Sequence, residues 1–528
     1  MAVAVLLALG STGAASAQPR WRPPPLQLPA AGVAREAGPE RWIVGTRGGA
    51  RAAALARGHG ARALLGERVW DVPLGSARAL AAALRTGGGL RFAEPDLPLG
   101  ARQLPASEAD ASAWRPRLRL PFPWPAVSAQ SPLLGILDSP ADPAHPDLDP
   151  ASFSVDRPGA APGDHGTAVA SVAVGAANGR GLLGTWPGAR AVSLAALDPD
   201  GSGTCTQAVR ALRRAVQLKV SVLNLSFGAS GPCYALQEAI AFAVSADVLT
   251  VASAGNERQT FDDLQRTRNP VVFPAAFPHV VSVGAFGPSG RVAPFSTANG
   301  AVDVVAPGEE IIAAVTRGRY AVVSGTSFSA PMTAAAALWL RQLRPELDQD
   351  QVAGALRDSA RDVGRKGWDP SSGYGSVDLT AALSVRVRAR DPGEVNDDVE
   401  WVDGSRFTRA DAVLNKGGRS ASVRAVVDAW KDPADVYRID VPARARLRFV
   451  LDPEGRSDPD LAVFGSSART VFSRRARVGA SGRGAGRDDA VEIRSTSRRT
   501  RRAYVAVYGP PGNGGLLDAT YRLSVRRR

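Results

Sequence analysis

From Leu133 onward, short runs of almost purely apolar residues alternate with segments of helical periodicity. The runs are "LLGILDS", "AVSLAAL", "VSVLNLSFG", "VLTVASAGN", "VVSVGAF" and "VDVVAPG", and between them lie "HGTAVASVAVGAA", "TQAVRALRRAVQLK" and "CYALQEAIAFAVSA". A strand that is apolar on both faces has to be covered on both faces, which antiparallel hairpins seldom achieve and crossover helices do. The pattern therefore predicts an α/β domain, a mostly parallel sheet with helices on both faces. Within "TQAVRALRRAVQLK", Val209, Leu212 and Val216 fall on one helical face, the face such a helix turns to the sheet. A sheet of this kind presents its functional groups at the carboxyl ends of its strands.

The rest of the chain reads differently. Residues 41–99 mix short strands ("RWIVGT", "RVWDVPL", "LRFAEPD") with two alanine-rich helical segments ended by glycine, a small α+β unit. A Pro-rich spacer, 18–40, precedes it, and a looser Pro- and Trp-containing stretch, 100–132, joins it to the α/β domain at 133–388. A linker, 389–398, leads to residues 399–528, where "DVYRIDVP", "ARLRFVLD", "DLAVFG", "YVAVYG" and "YRLSV" alternate apolar and polar residues as the strands of an all-β sandwich do. Residues 1–17 combine an apolar run with "ASA" at Ala15–Ala17, a signal-peptide pattern that predicts a secreted, extracellular protein. No segment reaches the roughly 18 uninterrupted apolar residues of a membrane span, and none is expected.

Charge narrows the partners. Lys and Arg number 64 against 50 Asp and Glu, a formal +14. The excess is spread arginine with no nucleic-acid motif and no aromatic-basic interleaving, so no nucleic-acid partner is expected. The two cysteines, Cys205 and Cys233, agree with an oxidising compartment if they pair, and are otherwise two buried thiols. With only four histidines besides, no zinc-type cluster is visible.

The chemistry is concentrated at element ends. In "SGTSFSAP", Ser327 stands at the mouth of the helix-patterned "MTAAAALWLRQL". A serine there is either a cap for the free N–H groups of the first turn or a nucleophile beside ready-made donors for an oxyanion. Asp138 ends the run "LLGILDS", His165 opens "HGTAVASVAVGAA", and Asn256 follows "VLTVASAG". Singly these read as a strand-end cap, a helix-end histidine and a turn residue. Together they supply an orienting acid, a base, a nucleophile and an oxyanion donor, the set that acyl transfer by serine needs.

The order Asp, His, Ser, with the words "GILDSPADPAHPDL", "DHGTAVASVAVG", "LNLSFG", "ASAGN", "FPAAFPHVVSVGAF", "VDVVAPG" and "SGTSFSAP", resembles the subtilisin-like serine peptidases, the subtilases. The resemblance implies Asp138 as orienting acid, His165 as general base and acid, Ser327 as nucleophile, and Asn256 with the Ser327 N–H as oxyanion hole. It implies a substrate pocket walled by Ser226, Phe227 and Gly228 and by Ser253, Ala254 and Gly255. Val272 would shorten that slot for medium-sized apolar residues, and Glu257 would stand at its rim. No cofactor is implied for the chemistry. One structural calcium is, on Asp147 and Asn178 with the carbonyls of Ala176, Arg180 and Leu182. Residues 41–99 are similar to the family's inhibitory propeptides, and 399–528 resemble prepeptidase C-terminal domains. The function implied is a secreted serine endopeptidase acting on polypeptide substrates, made as a precursor that binds its own propeptide and cuts itself between Asp96 and Trp114. The sequence departs from the family's usual words in "SP" after Asp138, in "HGTAV" and in "SAPM", none of which removes a proton-moving group. A catalytically silent binding protein on the same scaffold, or a peptide ligase or cyclase, stays open at this stage.

Overall fold

The computed structural model describes residues 41–46, 49–65, 69–87, 89–95, 111–261, 266–388, 390–404, 412–455, 457–509 and 518–528. The signal-peptide and spacer readings, at 1–40, lie outside them. Two compact units are present.

The smaller unit is a four-stranded antiparallel sheet in the order 62–65, 69–73, 41–46, 90–95, with helices Ala50–Gly58 and Leu74–Thr86. Its core is Ala53, Ala56, Ala77, Leu80 and Leu84 packed with Val44, Trp70 and Val72. The α+β expectation holds for these residues, with one more strand, Arg62–Leu65, than the apolar pattern announces.

The larger unit contains both the α/β region and the C-terminal β region. Seven strands form one sheet in the order 304–307, 280–286, 249–253, 222–225, 134–138, 191–195, 153–155, and every pairing is parallel. All residues of strands Leu134–Asp138, Val222–Leu225, Leu249–Ser253 and Val280–Phe286 are buried, as a sheet covered on both faces requires. Helices Asp164–Val174 and Thr326–Leu343 share one core with the sheet, and Cys205–Gln217 and Tyr234–Ser245 lie in another. The run Ala334–Ala337, wholly buried, gives the Thr326–Leu343 helix a smooth flank that lets it lie close beneath the strands. Cys205 and Cys233 form a disulfide that ties the first residue of one helix to the N-cap of the next.

Residues 413–527 build a five-stranded and a four-stranded sheet. Ile439, Val463 and Val505 from the first meet Val427, Phe449 and Leu523 from the second in a single core, a sandwich as the alternation predicts. Strands Val413–Asn415, Ala421–Asp428, Arg477–Ser481 and Asp489–Arg494 complete it.

Candidate active site

Asp138 is the last residue of its strand and is fully buried. Its Oδ1 accepts the Ser139 N–H at 2.7 Å and the His165 Nδ1–H at 2.8 Å. His165 is the second residue of its helix, brought to the strand end because Gly166 passes directly over Ser139. A Cβ on Gly166 would stand 1.9 Å from the Ser139 carbonyl oxygen, so only glycine permits the approach. Burial works against the charged imidazolium, but the Asp138 charge and hydrogen bond outweigh it and hold the His165 pKa above its ordinary 6.5.

Ser327 is the second residue of helix Thr326–Leu343. Gly325 is the N-cap and has no side chain, and Ser327 lies inside the helix without capping it, so the capping reading of Ser327 does not hold. Its N–H belongs to the first turn, whose donors have no intrahelical acceptor. The hydroxyl donates to the Ser226 carbonyl oxygen at 3.3 Å, and the Ser226 hydroxyl donates to the Ser327 carbonyl oxygen at 2.8 Å. The His165 ring lies 5.9 Å from the ring of Phe328, the next residue of the helix.

Asn256 is fixed by its amide oxygen, which accepts the Thr326 N–H at 2.9 Å and the Thr326 hydroxyl at 3.0 Å. Its Nδ2 is thereby turned toward the helix mouth, where a Cβ on Gly325 would come within 3.2 Å of it. Thr326 and the Ser226 hydroxyl are the parts that sequence reasoning did not single out, although both lie inside the motifs that drew attention to the site.

The two predicted pocket walls and Val272 come together. A Cβ on Gly228 would stand 2.5 Å from Val272 Cγ1, and one on Gly255 would stand 2.7 Å from Cγ2. Val272 is thus wedged between 226–228 and 253–255 and is 3% exposed. Glu257 accepts the Thr297 hydroxyl at 3.1 Å and remains exposed.

A buried aspartate joined to a half-buried histidine at one strand end, with a serine and an oriented amide at a helix mouth of the same sheet, define a domain of the serine-peptidase class. Residues 129–375 match the family described as "Subtilase family". Subtilisin of Bacillus pumilus is 31% identical over 254 residues, covering 47% of this chain and 90% of that protein. The intracellular serine protease of Paenibacillus polymyxa is 31% identical over 236 residues, 43% of this chain and 71% of that one. Subtilisin amylosacchariticus of Bacillus subtilis subsp. amylosacchariticus is 32% identical over 254 residues, and there the match spans 65% of the relative's length. The chain belongs to the subtilase family.

The residues expected to hold calcium are engaged in hydrogen bonds of their own. Asp147 is fully buried, and both its carboxylate oxygens are taken: Oδ1 accepts the Tyr320 hydroxyl at 2.9 Å and Oδ2 the Leu182 N–H at 3.1 Å. The Asn178 amide oxygen accepts the Arg180 N–H at 3.2 Å, and its Nδ2 donates to the Pro146 carbonyl oxygen at 2.8 Å. Calcium requires six to eight oxygens, and one carboxylate tied into such a network does not fit it. Elsewhere among the described residues, ligand atoms of His279, Glu394 and Asp397, and of Asp391, Glu394, Asp432 and Asp435, approach within 4.8 Å in each group, close enough to hold a metal ion. They belong to the linker, the C-terminal region and the 277–280 turn. The spacing of these residues in sequence gives no hint of the clustering.

Proposed function

We propose that this chain is a secreted serine endopeptidase that forms an acyl-enzyme on Ser327 and is made as a self-processing precursor. The observation that carries the reading is the Asp138–His165 pair set beside Phe328, the residue after Ser327, with an Asn256 amide held by Thr326, the residue before it.

Donation of the Nδ1 proton to Asp138 leaves His165 Nε2 as the acceptor. Rotation of the Ser327 hydroxyl away from Ser226 toward Nε2 lets His165 take the proton as Oγ attacks the peptide carbonyl. The oxyanion then meets Asn256 Nδ2 and the Ser327 N–H at the positive end of the helix. His165 returns the proton to the leaving amine, and water repeats the sequence on the acyl-enzyme. No metal takes part in these steps. Asp138 keeps the imidazole in its tautomer and balances the imidazolium.

The Cys205–Cys233 disulfide supports an oxidising destination, as does the apolar leader in the sequence. No helix among the described residues is long and apolar enough to cross a membrane. The wedge of Val272 supports a shallow slot that takes Ala, Val and Leu before Phe or Tyr. The α+β arrangement of the smaller unit supports residues 41–99 as an inhibitory propeptide.

The test is labelling by a fluorophosphonate probe together with cleavage of casein. Wild-type protein should be labelled and produce fragments whose masses correspond to addition of water. Ser327→Ala should do neither, and labelling that survives the substitution would remove Ser327 from the role.

A further inference from the structure

The C-terminal domain reaches the substrate pocket through one turn. Strand Ala421–Asp428 ends in a loop closed by Asp428, whose Oδ1 accepts the Trp430 N–H at 2.8 Å and the Lys431 N–H at 2.7 Å. The Asp428 N–H also donates to the Asp432 carbonyl oxygen at 2.7 Å, so the turn is stiff. It presents Trp430 and Lys431 to the α/β region.

Lys431 is only 3% exposed, and its Nζ donates to the Ala275 carbonyl oxygen at 2.7 Å. Asp303 is farther, at 3.3 Å, and already has Arg357 at 2.9 Å and the Ser282 N–H at 2.7 Å. A buried ammonium is costly unless it is paired, and Lys431 faces the Asp303 and Asp428 carboxylates as well as the Ala275 carbonyl oxygen. What Lys431 alone supplies is the grip on Ala275. That carbonyl lies in the tight turn begun by Val272, whose own carbonyl oxygen accepts the Ala276 N–H at 3.0 Å. The His279 N–H, just beyond, donates to the Lys431 carbonyl oxygen at 2.8 Å.

Trp430 backs the other wall. Its indole fills the place where a Cβ on Gly300 would stand, 2.3 Å from Nε1. The loop it presses on holds the pocket: the Thr297 N–H donates to the Gly255 carbonyl oxygen at 3.0 Å, and Asn299 Nδ2 donates to the Pro270 carbonyl oxygen at 3.1 Å.

We propose that Lys431 and Trp430 of the C-terminal domain are positioning residues for the specificity pocket, holding the Val272–Phe277 turn and the 297–300 loop at the separation that sets the depth of the slot. The proposal rests on the reading of 226–228, 253–255 and Val272 as that pocket.

The experiment uses the full-length protein, with active sites counted by the fluorophosphonate probe. It measures kcat and KM on peptides that vary only in the residue before the scissile bond. Lys431→Met should leave the count of active sites unchanged but shift the ratio of kcat/KM for Phe over Val by about tenfold toward Phe, mostly in KM. Trp430→Phe should shift it less, and Lys431→Arg should restore the parent profile. Val272→Gly is the control for the pocket. If Val272→Gly leaves the profile unchanged, the pocket reading has failed; if it moves the profile while Lys431→Met and Trp430→Phe do not, the pocket stands and the positioning role is overturned. Should Lys431→Met not fold, Trp430→Phe decides, and a parent profile there, with only a lowered Tm, reduces the turn to a structural contact.

Discussion

At the residue scale the acid–base pair makes a directional claim about pH. His165 has to be neutral to accept the Ser327 proton, and Asp138 holds its pKa above 6.5 despite burial. Activity is therefore expected to fall as pH drops through that raised value, seen as the acid limb of kcat/KM for the free enzyme. Asp138→Asn removes the charge and leaves the burial, so the limb should move to lower pH while the rate falls by about 10⁴. A limb that stays in place would mean that another group controls it. The same shift links to stability: the folded state binds the proton more tightly than the unfolded chain, so the pair's contribution is complete below about pH 6.5 and is lost as pH rises through the folded value. Asn256 makes a separate claim. Because Thr326 fixes its oxygen, Asn256→Ala removes one preoriented donor and leaves the Ser327 N–H, and kcat should fall by about 10² to 10³ with little change in KM. A raised KM with kcat intact would instead assign Asn256 to ground-state binding.

At the element scale, what could be read from the sequence follows from what sets each element. The strands ending at Asp138, Leu225 and Ser253 are buried on both faces and announce themselves as unbroken apolar runs. Strand Phe153–Val155 has three residues at the sheet edge and leaves no such run, whereas Ile311–Val315, "IIAAV", is an apolar run that the sequence reading passed over, paired in a hairpin with the more exposed Arg319–Val323. The candidate catalytic residues could be picked out because each stands at the end of a legible element. The Asp147 network could not, because Tyr320, which completes it, lies on that hairpin, 173 positions away. The network carries its own prediction. In the Ser327→Ala background, Asp147→Asn should lower stability by about 1 to 3 kcal/mol, since its amide cannot accept from both the Leu182 N–H and the Tyr320 hydroxyl. Any rise of Tm that calcium produces over EDTA should be the same with and without the substitution. A calcium shift that disappears in Asp147→Asn would restore the site.

At the scale of the whole molecule, the proposed self-processing requires a cut where the chain can lie extended across Ser327, and burial limits where that is. Ala111 and Trp114 belong to the main core of the α/β region, 5% and 6% exposed, together with Leu118 and Trp186. The Ser112 hydroxyl accepts the Leu183 N–H at 2.6 Å, and Arg115 Nη1 donates to the Thr185 carbonyl oxygen at 3.1 Å. Drawing this segment into the cleft would strip a tryptophan from the core at a cost of about 3 kcal/mol or more, besides its hydrogen bonds. Of the window Asp96 to Trp114 expected from the sequence, the part from Ala111 onward is therefore excluded, and the first cut should fall between Asp96 and Asp110. If one nucleophile serves processing and turnover, as proposed, Ser327→Ala, expressed in a host without other proteases, should keep residues 41–95 attached. Wild-type protein should show a new N-terminus inside the narrower window, at a rate independent of its concentration if the chain cuts itself. N-terminal sequencing and intact mass of the two proteins read both results. Maturation of Ser327→Ala would refute self-processing, and a first cut beyond Ala111 would refute the role given to the buried segment.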